Sequence, residues 1–392
     1  MTVLVINSGS SSIKYQLIDP VSGDSLAKGL VERIGESTSH LEHEVGGESF
    51  ELDQAITDHA EGLTLVINMF NTHGPSLAEA GIKAVGHRVV QGGKYFNKAA
   101  LITDEVQQLI DDLSPLGPLH NPAHLKGIKV AREMFDVPNI AVFDTAFFQS
   151  LPNESATYAI DRAVAEKYQI RRYGAHGTSH QFVSGQVSQM LDRDDLKQIV
   201  LHLGNGASAS AVVNGKAVDT SMGLTPLEGL VMGGRTGDID PAAVFHLVRQ
   251  AGMSIDEIDT LFNKQSGLKG LAGDNDMRQV WALADQGDEN AKEALEVYVH
   301  RLIHYIGAYT AVMGGLDALT FTAGAGENDA RLRERVCERL APFGVKLDLE
   351  KNSVRSKEAR VISADDSSVI VSVVPTNEEL AIARQCMELI EG

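Results

Sequence analysis

The chain has 392 residues, enough for two or three domains that each bury a core. Its composition, 43% hydrophobic and 22% charged, is that of a globular protein and excludes disordered, collagenous and low-complexity chains. With 34 Lys and Arg against 53 Asp and Glu the net charge is −19, a field that argues against nucleic-acid and anionic-membrane partners but leaves room for a small anion held by local donors.

Cys337 and Cys386 are too few for a disulfide framework and point to a reducing, cytoplasmic setting. Met1–Ile6 lacks the basic start of a signal peptide, and no apolar run approaches the 18 residues that a membrane helix needs.

In chain order, Val3–Ile6 reads as a buried strand, residues 7–12 as a polar loop, and Ile13–Ile18 as a second strand. Residues 36–62, acidic with Gly46-Gly47, read as a peripheral hairpin and loop. Asn121-Pro122 reads as a helix start with Asn121 as the cap, and Leu125, Ile128, Ala131 and Phe135 follow at helical spacing. Ile140–Phe143 is a strand that ends at Asp144.

A second block repeats the opening. Ile199–Leu203 is an apolar strand broken by Gly204-Asn205-Gly206, followed by a small-residue strand and an Asn214-Gly215 turn. Residues 219–241 read as irregular, and Asp240-Pro241 caps a helix. A long helix spans about Glu289 to Met313, stopped by Gly314-Gly315. Leu319–Thr322 is a strand, 323–328 a loop, and Asp329 opens a helix. Val369–Val374 is the last strand, and a helix runs from Asn377 towards the C-terminus. Two duplicated α/β halves with a cleft between them are the expected architecture.

Three Gly/Ser loops directly follow strands, at 7–12, 204–208 and 323–328. Such loops let backbone N–H groups converge on a phosphate oxygen because few Cβ atoms stand in the way. Lys14 lies two residues beyond the first. No G-x-x-x-x-G-K-[ST] occurs, which excludes the common P-loop. Gly204-Asn-Gly206-Ala-Ser-Ala209 matches a dinucleotide fingerprint in letters but leads into a strand, where that fingerprint must open a helix. His176-Gly-Thr-Ser-His180 lacks the Glu of zinc peptidases; its plainer reading is a helix start capped by Thr178 or Ser179. Thr376 to Glu379 likewise fits a capping box.

Taken together, the ordered motifs resemble the acetate kinase family, within the superfamily of acetate and sugar kinases, heat-shock ATPases and actin. They are Val-Leu-Val-Ile-Asn-Ser-Gly-Ser-Ser-Ser at 3–12, Gly-His-Arg-Val-Val at 86–90, Pro-Leu-His-Asn-Pro at 118–122, Phe-Asp-Thr-Ala-Phe at 143–147 and His-Gly-Thr-Ser-His at 176–180. His-Leu-Gly-Asn-Gly at 202–206, Gly-Asp-Ile-Asp-Pro at 237–241 and Pro-Thr-Asn-Glu-Glu-Leu at 375–380 continue the match over essentially the whole chain.

The resemblance implies two actin-like (ribonuclease H-like) α/β domains with an interdomain active-site cleft, one of residues 1–150 plus 378–392 and a nucleotide-binding one of 151–377. It implies Mg²⁺, or Mn²⁺, at Asn7 and Glu378, and ATP or ADP along Lys14, His202, Leu203, Gly204, Asn205, Gly206, Asp276, Met277, Arg278, Gly324, Ala325, Gly326, Glu327 and Asn328. Arg88 would bind the carboxylate, with Val90, Leu119, Ala175 and Pro226 around its alkyl group. Asp144, His120, His176 and Arg235 would be catalytic. The family works as a homodimer that moves phosphate between ATP and acetate or another short carboxylate, giving acetyl phosphate.

The chemistry agrees with that list. A short carboxylate is already ionised at neutral pH and needs no base; the obstacle is the approach of two anions. Arg88, Arg235, Lys14, His176 and the metal supply the cations such a site demands, and Asp144 reads better as a positioner than as a proton acceptor. Ala175 stands where the family usually has an aromatic residue, which keeps propionate and butyrate open beside acetate. Gln91 and Phe148 replace common histidines, and Gly234 replaces a usual Thr. A sugar kinase or an ATP-hydrolysing switch protein of the same fold are the competing readings, and the arginine pair argues for transfer.

Overall fold

The apolar run after Thr2 becomes the middle of a sheet. In the computed structural model, which describes residues 1–392, the chain divides into two units, Met1–Gln149 with Asn377–Gly392, and Ser150–Thr376. The first unit holds β1 (Thr2–Ser8), β2 (Ile13–Ile18), β3 (Ser25–Glu32), β4 (Ser39–Val45), β5 (Glu48–Gln54), β6 (Ile82–Val89), β7 (Ala100–Leu101) and β8 (Asn139–Phe143), in the sheet order β5-β4-β3-β2-β1-β6-β8-β7. β1 runs parallel to β6 and β6 to β8; the other pairs are antiparallel.

The second unit holds β9 (Lys197–Leu203), β10 (Ala207–Val213), β11 (Lys216–Thr220), β12 (Ala318–Thr322), β13 (Arg360–Val361) and β14 (Ile370–Val373), ordered β11-β10-β9-β12-β14-β13. Here β9 is parallel to β12 and β12 to β14, again with antiparallel neighbours outside. Strand for strand this repeats β3-β2-β1-β6-β8-β7, so the expected duplication is present. The first unit adds the β4–β5 hairpin.

The parallel strands are covered on both faces, which is why they read as continuous apolar runs rather than alternating ones. Leu4 and Ile6 of β1 join a cluster with Val66 and Phe70 of the helix His59–His73. The next strand brings in the other face: a Cβ on Gly86 of β6 would lie 2.8 Å from Cys386 Sγ and Ile382 of the C-terminal helix Glu378–Glu391. Glycine at 86 is therefore what lets that helix seat. In the second unit Leu295, Val299, Leu302 and Ile306 of the helix Glu289–Met313 pack on Ile199, Leu319 and Phe321. Each of the four is 1% exposed and contributes about 1.5–3 kcal/mol by burial.

Several local expectations fail where a distant partner outcompetes the local one. Asn121 is not a cap: its buried amide accepts from Gln91 N–H at 3.0 Å and donates to Gln91 C=O at 2.9 Å, and His120 takes the cap position. Thr178 and Ser179 lie inside the helix Gly177–Leu191, which starts from a left-handed His176 at φ 59°. The C-terminal helix is capped by the Asn377 side chain, while Thr376 bonds Ser179 instead. Asp240 does accept from Ala242 N–H, but the helix opens at Ala242, after Pro241. Residues 36–62 form β4, β5 and the first turn of the helix His59–His73, so the hairpin belongs to the sheet. Ala323–Asn328 is a short helix, not an open loop. The strand–turn–strand context of Gly204–Gly206 is as expected and excludes the dinucleotide reading.

Candidate active site

The chemistry-bearing residues fall into two groups, one in each unit. In the first, parallel β6 and β8 place Arg88 level with Val142, and Asp144 follows at the end of β8. Asp144 is fully buried, and its two carboxylate oxygens accept from Arg88 Nε at 3.2 Å and Nη2 at 2.7 Å. Arg88 Nη1 donates no hydrogen bond, so the Nη1/Nη2 edge of the fork is available to another carboxylate. Burial works against the charge on Arg88, but Asp144 and Glu378 outweigh it and hold its pKa above the usual value.

Glu378 opens the C-terminal helix, 3.8 Å from Arg88 Nε. Burial raises its carboxyl pKa; Arg88 opposes this, and the neighbouring Asp144 and Glu379 carboxylates add to it. Asn7, next to last in β1, lies opposite Lys14 on β2, and Lys14 Nζ pairs with Glu379 Oε1 at 2.5 Å. An amide oxygen and a carboxylate are the kind of oxygen donors a hard cation prefers. No cluster of three or more His, Cys, Asp or Glu forms an all-protein metal cage. Two protein oxygen donors fit Mg²⁺, which takes waters and substrate phosphates as its other ligands.

His120 precedes the helix Asn121–Met134, half-buried, and its ring lies 6.5 Å from that of His124. Val90 is buried and Leu119 is 45% exposed. The sequence reading passed over His124, although i, i+4 spacing from His120 could have flagged it. It is buried, neither ring nitrogen has a hydrogen-bond partner, and burial followed by the nearby Arg88 charge pushes its pKa down to about 3.

In the second unit the turn between β9 and β10 gathers the other group. A Cβ on Gly206 would stand 3.5 Å from His176 Nε2 and 3.6 Å from Arg235 Nη1, so loop backbone, imidazole and guanidinium converge there. The rings of His176 and His202 stack at 4.2 Å, inclined by 25°. Arg235 Nη1 donates to the Pro226 carbonyl at 3.0 Å, which holds the guanidinium despite Gly234 before it. Ala175 is buried in the main core cluster of this unit.

A cavity of about 840 Å³ opens beside that turn. Gly204, Asn205, Asp276, Met277, Arg278, Gly324, Ala325 and Asn328 all line it. His202, Leu203, Gly326 and Glu327, expected at the nucleotide, do not line it: Leu203 is core, and Glu327 accepts from the N–H groups of Ala323 and Thr376. Asp276 caps the helix Met277–Asp285 and is tied to the Arg278 guanidinium. Trp281, Arg331 and Arg355 are among the lining residues that escaped the sequence reading. Arg331 lies 4.0 Å over the Trp281 ring, whose N–H donates to Asp329 at 2.6 Å.

The acetokinase family model matches residues 2–384. An acetate kinase of Leifsonia xyli subsp. xyli is 57% identical over 99% of this chain and 98% of its own. Among solved structures, Porphyromonas gingivalis acetate kinase superposes with a TM-score of 0.94 at 40% identity, covering 99% of both chains. A propionate kinase from Francisella tularensis superposes at 0.93 with 42% identity, covering 98% of both. The chain belongs to the acetokinase family.

Proposed function

We propose that the chain is an acetate kinase that reversibly transfers the γ-phosphoryl group of ATP to acetate, giving acetyl phosphate and ADP. The observation that carries this reading is the Arg88–Asp144 fork. Its buried carboxylate occupies one edge of the guanidinium and leaves the other edge for a carboxylate substrate. A hydroxyl-phosphorylating enzyme would need a free carboxylate as base at such a point, and Asp144 is committed.

In this reading the acetate oxygen attacks the γ-phosphorus directly, in line with the departing ADP oxygen. Arg235, and the His176 N–H group beside the Gly206 loop, receive the charge that spreads over the phosphoryl oxygens. Gly204, Asn205, Asp276–Arg278 and Gly324–Asn328 hold the nucleotide, and Lys14 lies near its phosphates. His120 orients the acceptor, and Val90, Leu119, Ala175 and Pro226 bound its methyl group. Asn7 and Glu378 would hold Mg²⁺, which neutralises phosphate charge when bound. The test is acyl-hydroxamate formation from ATP, Mg²⁺ and hydroxylamine with acetate, propionate and butyrate. Acetate should lead, and ATP hydrolysis without any hydroxamate would refute transfer.

We also propose a homodimer in the cytoplasm. Two buried thiols without a partner support a reducing compartment, and no helix is long and apolar enough to cross a membrane. Phe245, Val248 and Ile255 are 56%, 39% and 64% exposed within one short stretch, apolar surface of the kind a second copy would cover. Phe245→Asp should lower the mass seen by light scattering to that of one chain; an unchanged mass would place the interface elsewhere.

A further inference from the structure

The catalytic reading asks His176 to present a proton from Nε2, yet a neutral imidazole carries its proton on either nitrogen. The structure holds the means of choosing. His176 Nδ1 lies 2.9 Å from Ser208 Oγ, Ser208 Oγ lies 2.7 Å from His180 Nε2, and His180 Nδ1 lies 2.7 Å from Ser210 Oγ. Ser208, Ser210 and His180 are fully buried, so none exchanges partners with water.

Counting hydrogens gives the chain a direction. The Ser210 hydroxyl has His180 Nδ1 as its hydrogen-bond partner, and a hydroxyl that only accepted would bury an unused O–H, a cost of roughly 1–3 kcal/mol. Ser210 therefore donates to His180 Nδ1. His180 is neutral, because burial, followed by the adjacent His202, holds its pKa well below the usual value. Its one ring proton must then sit on Nε2 and be donated to Ser208 Oγ. The Ser208 hydrogen is left for His176 Nδ1. That nitrogen accepts, so the His176 proton sits on Nε2, the atom beside Gly206 and Arg235.

We propose that Ser210, His180 and Ser208 form a one-way hydrogen-bond relay that locks His176 in its Nε2–H tautomer, aimed at the phosphate-holding turn. The three are positioning residues that act through His176. This rests on the phosphoryl-transfer reading above and explains why β10 alternates alanine with serine: Ser208 and Ser210 share the sheet face that meets the helix Gly177–Leu191, where His176 and His180 are four residues apart.

The relay is tested on the wild-type protein labelled with ¹⁵N in its histidine rings. Long-range ¹H–¹⁵N spectra distinguish a protonated ring nitrogen from a bare one, and His176→Asn assigns the signal. Wild-type His176 should show a protonated Nε2 and a bare Nδ1. Ser208→Ala and Ser210→Ala should mix the tautomers and lower kcat by about 10- to 100-fold, short of the roughly 10⁴-fold loss when a catalytic histidine is held wholly in the wrong tautomer. Acetate KM should stay within about twofold, and Ser210→Thr, which keeps the donor, should restore both signal and rate. A proton on Nδ1 in the wild type overturns the relay, and so does a fall in kcat with the tautomer signal unmoved. Absence of acetyl hydroxamate in the wild type would instead sink the functional reading, with the spectra still deciding the relay.

Discussion

Replacing Asp144 by asparagine isolates what the buried carboxylate does. The two hydrogen bonds from Arg88, at 3.2 and 2.7 Å, both end on its oxygens. Asparagine is nearly isosteric but offers one oxygen, and its NH₂ group would face an N–H of the guanidinium. One charge-assisted bond is lost, about 1.5–3 kcal/mol. At 1.4 kcal/mol per tenfold, a misaligned fork should raise acetate KM by about 10- to 100-fold. Stability should fall by about 3 kcal/mol, the lower end for a broken buried pair, because Glu378 remains 3.8 Å from Arg88 as a counter-charge. The assay is initial-rate kinetics with varied acetate at saturating ATP, together with denaturant unfolding. Unchanged acetate KM, with kcat reduced more than 10³-fold, would refute the reasoning and make Asp144 a direct participant in the chemistry.

Gly86→Ala should push the C-terminal helix outward, since its Cβ would meet Cys386 Sγ and Ile382 at 2.8 Å; about 1–3 kcal/mol of stability and a raised Mg²⁺ requirement are expected, and an unaltered Mg²⁺ dependence would detach Glu378 from the metal. The chain has one tryptophan, Trp281, and it lines the 840 Å³ cavity, so ADP should change its emission with the same midpoint as inhibition; a silent tryptophan would place the nucleotide elsewhere. Burial lowers the pKa of His87 from 6.5 to about 4, although its bond to Asn139 opposes this. The unfolded chain then binds a proton that the folded one refuses, so this contribution is fully present above pH 6.5 and lost as pH falls from 6.5 towards 4. It amounts to about 3 kcal/mol, read as a drop in unfolding free energy over that window; a flat profile would contradict it.

Much of the fold was legible in the chain itself. β1, β8, β9 and β12 declare themselves because strands covered on both faces must be apolar throughout, and a break into Asn, Asp, Gly or Ala marks where each ends. The helix Glu289–Met313 was legible from its periodicity and its Gly314-Gly315 stop, both local signals. The proposed site residues were legible as types in ordered motifs, since Gly- and Ser-rich loops leave backbone N–H groups open to a ligand. What the sequence could not show is which partner each polar group chooses. Asn121 and Thr376 look like caps, but Gln91 and Ser179 claim them from 30 and 197 residues away, and a buried hydrogen bond outweighs an exposed local cap. Arg88 and Asp144 lie 56 residues apart and meet only because β6 and β8 pair in parallel register. The serines of β10 read as small strand residues until the sheet sets them against His176 and His180. Local propensity wrote the elements; the direction of each fork and each imidazole proton was left to tertiary packing, because those choices depend on groups that only the folded chain brings within 3 Å.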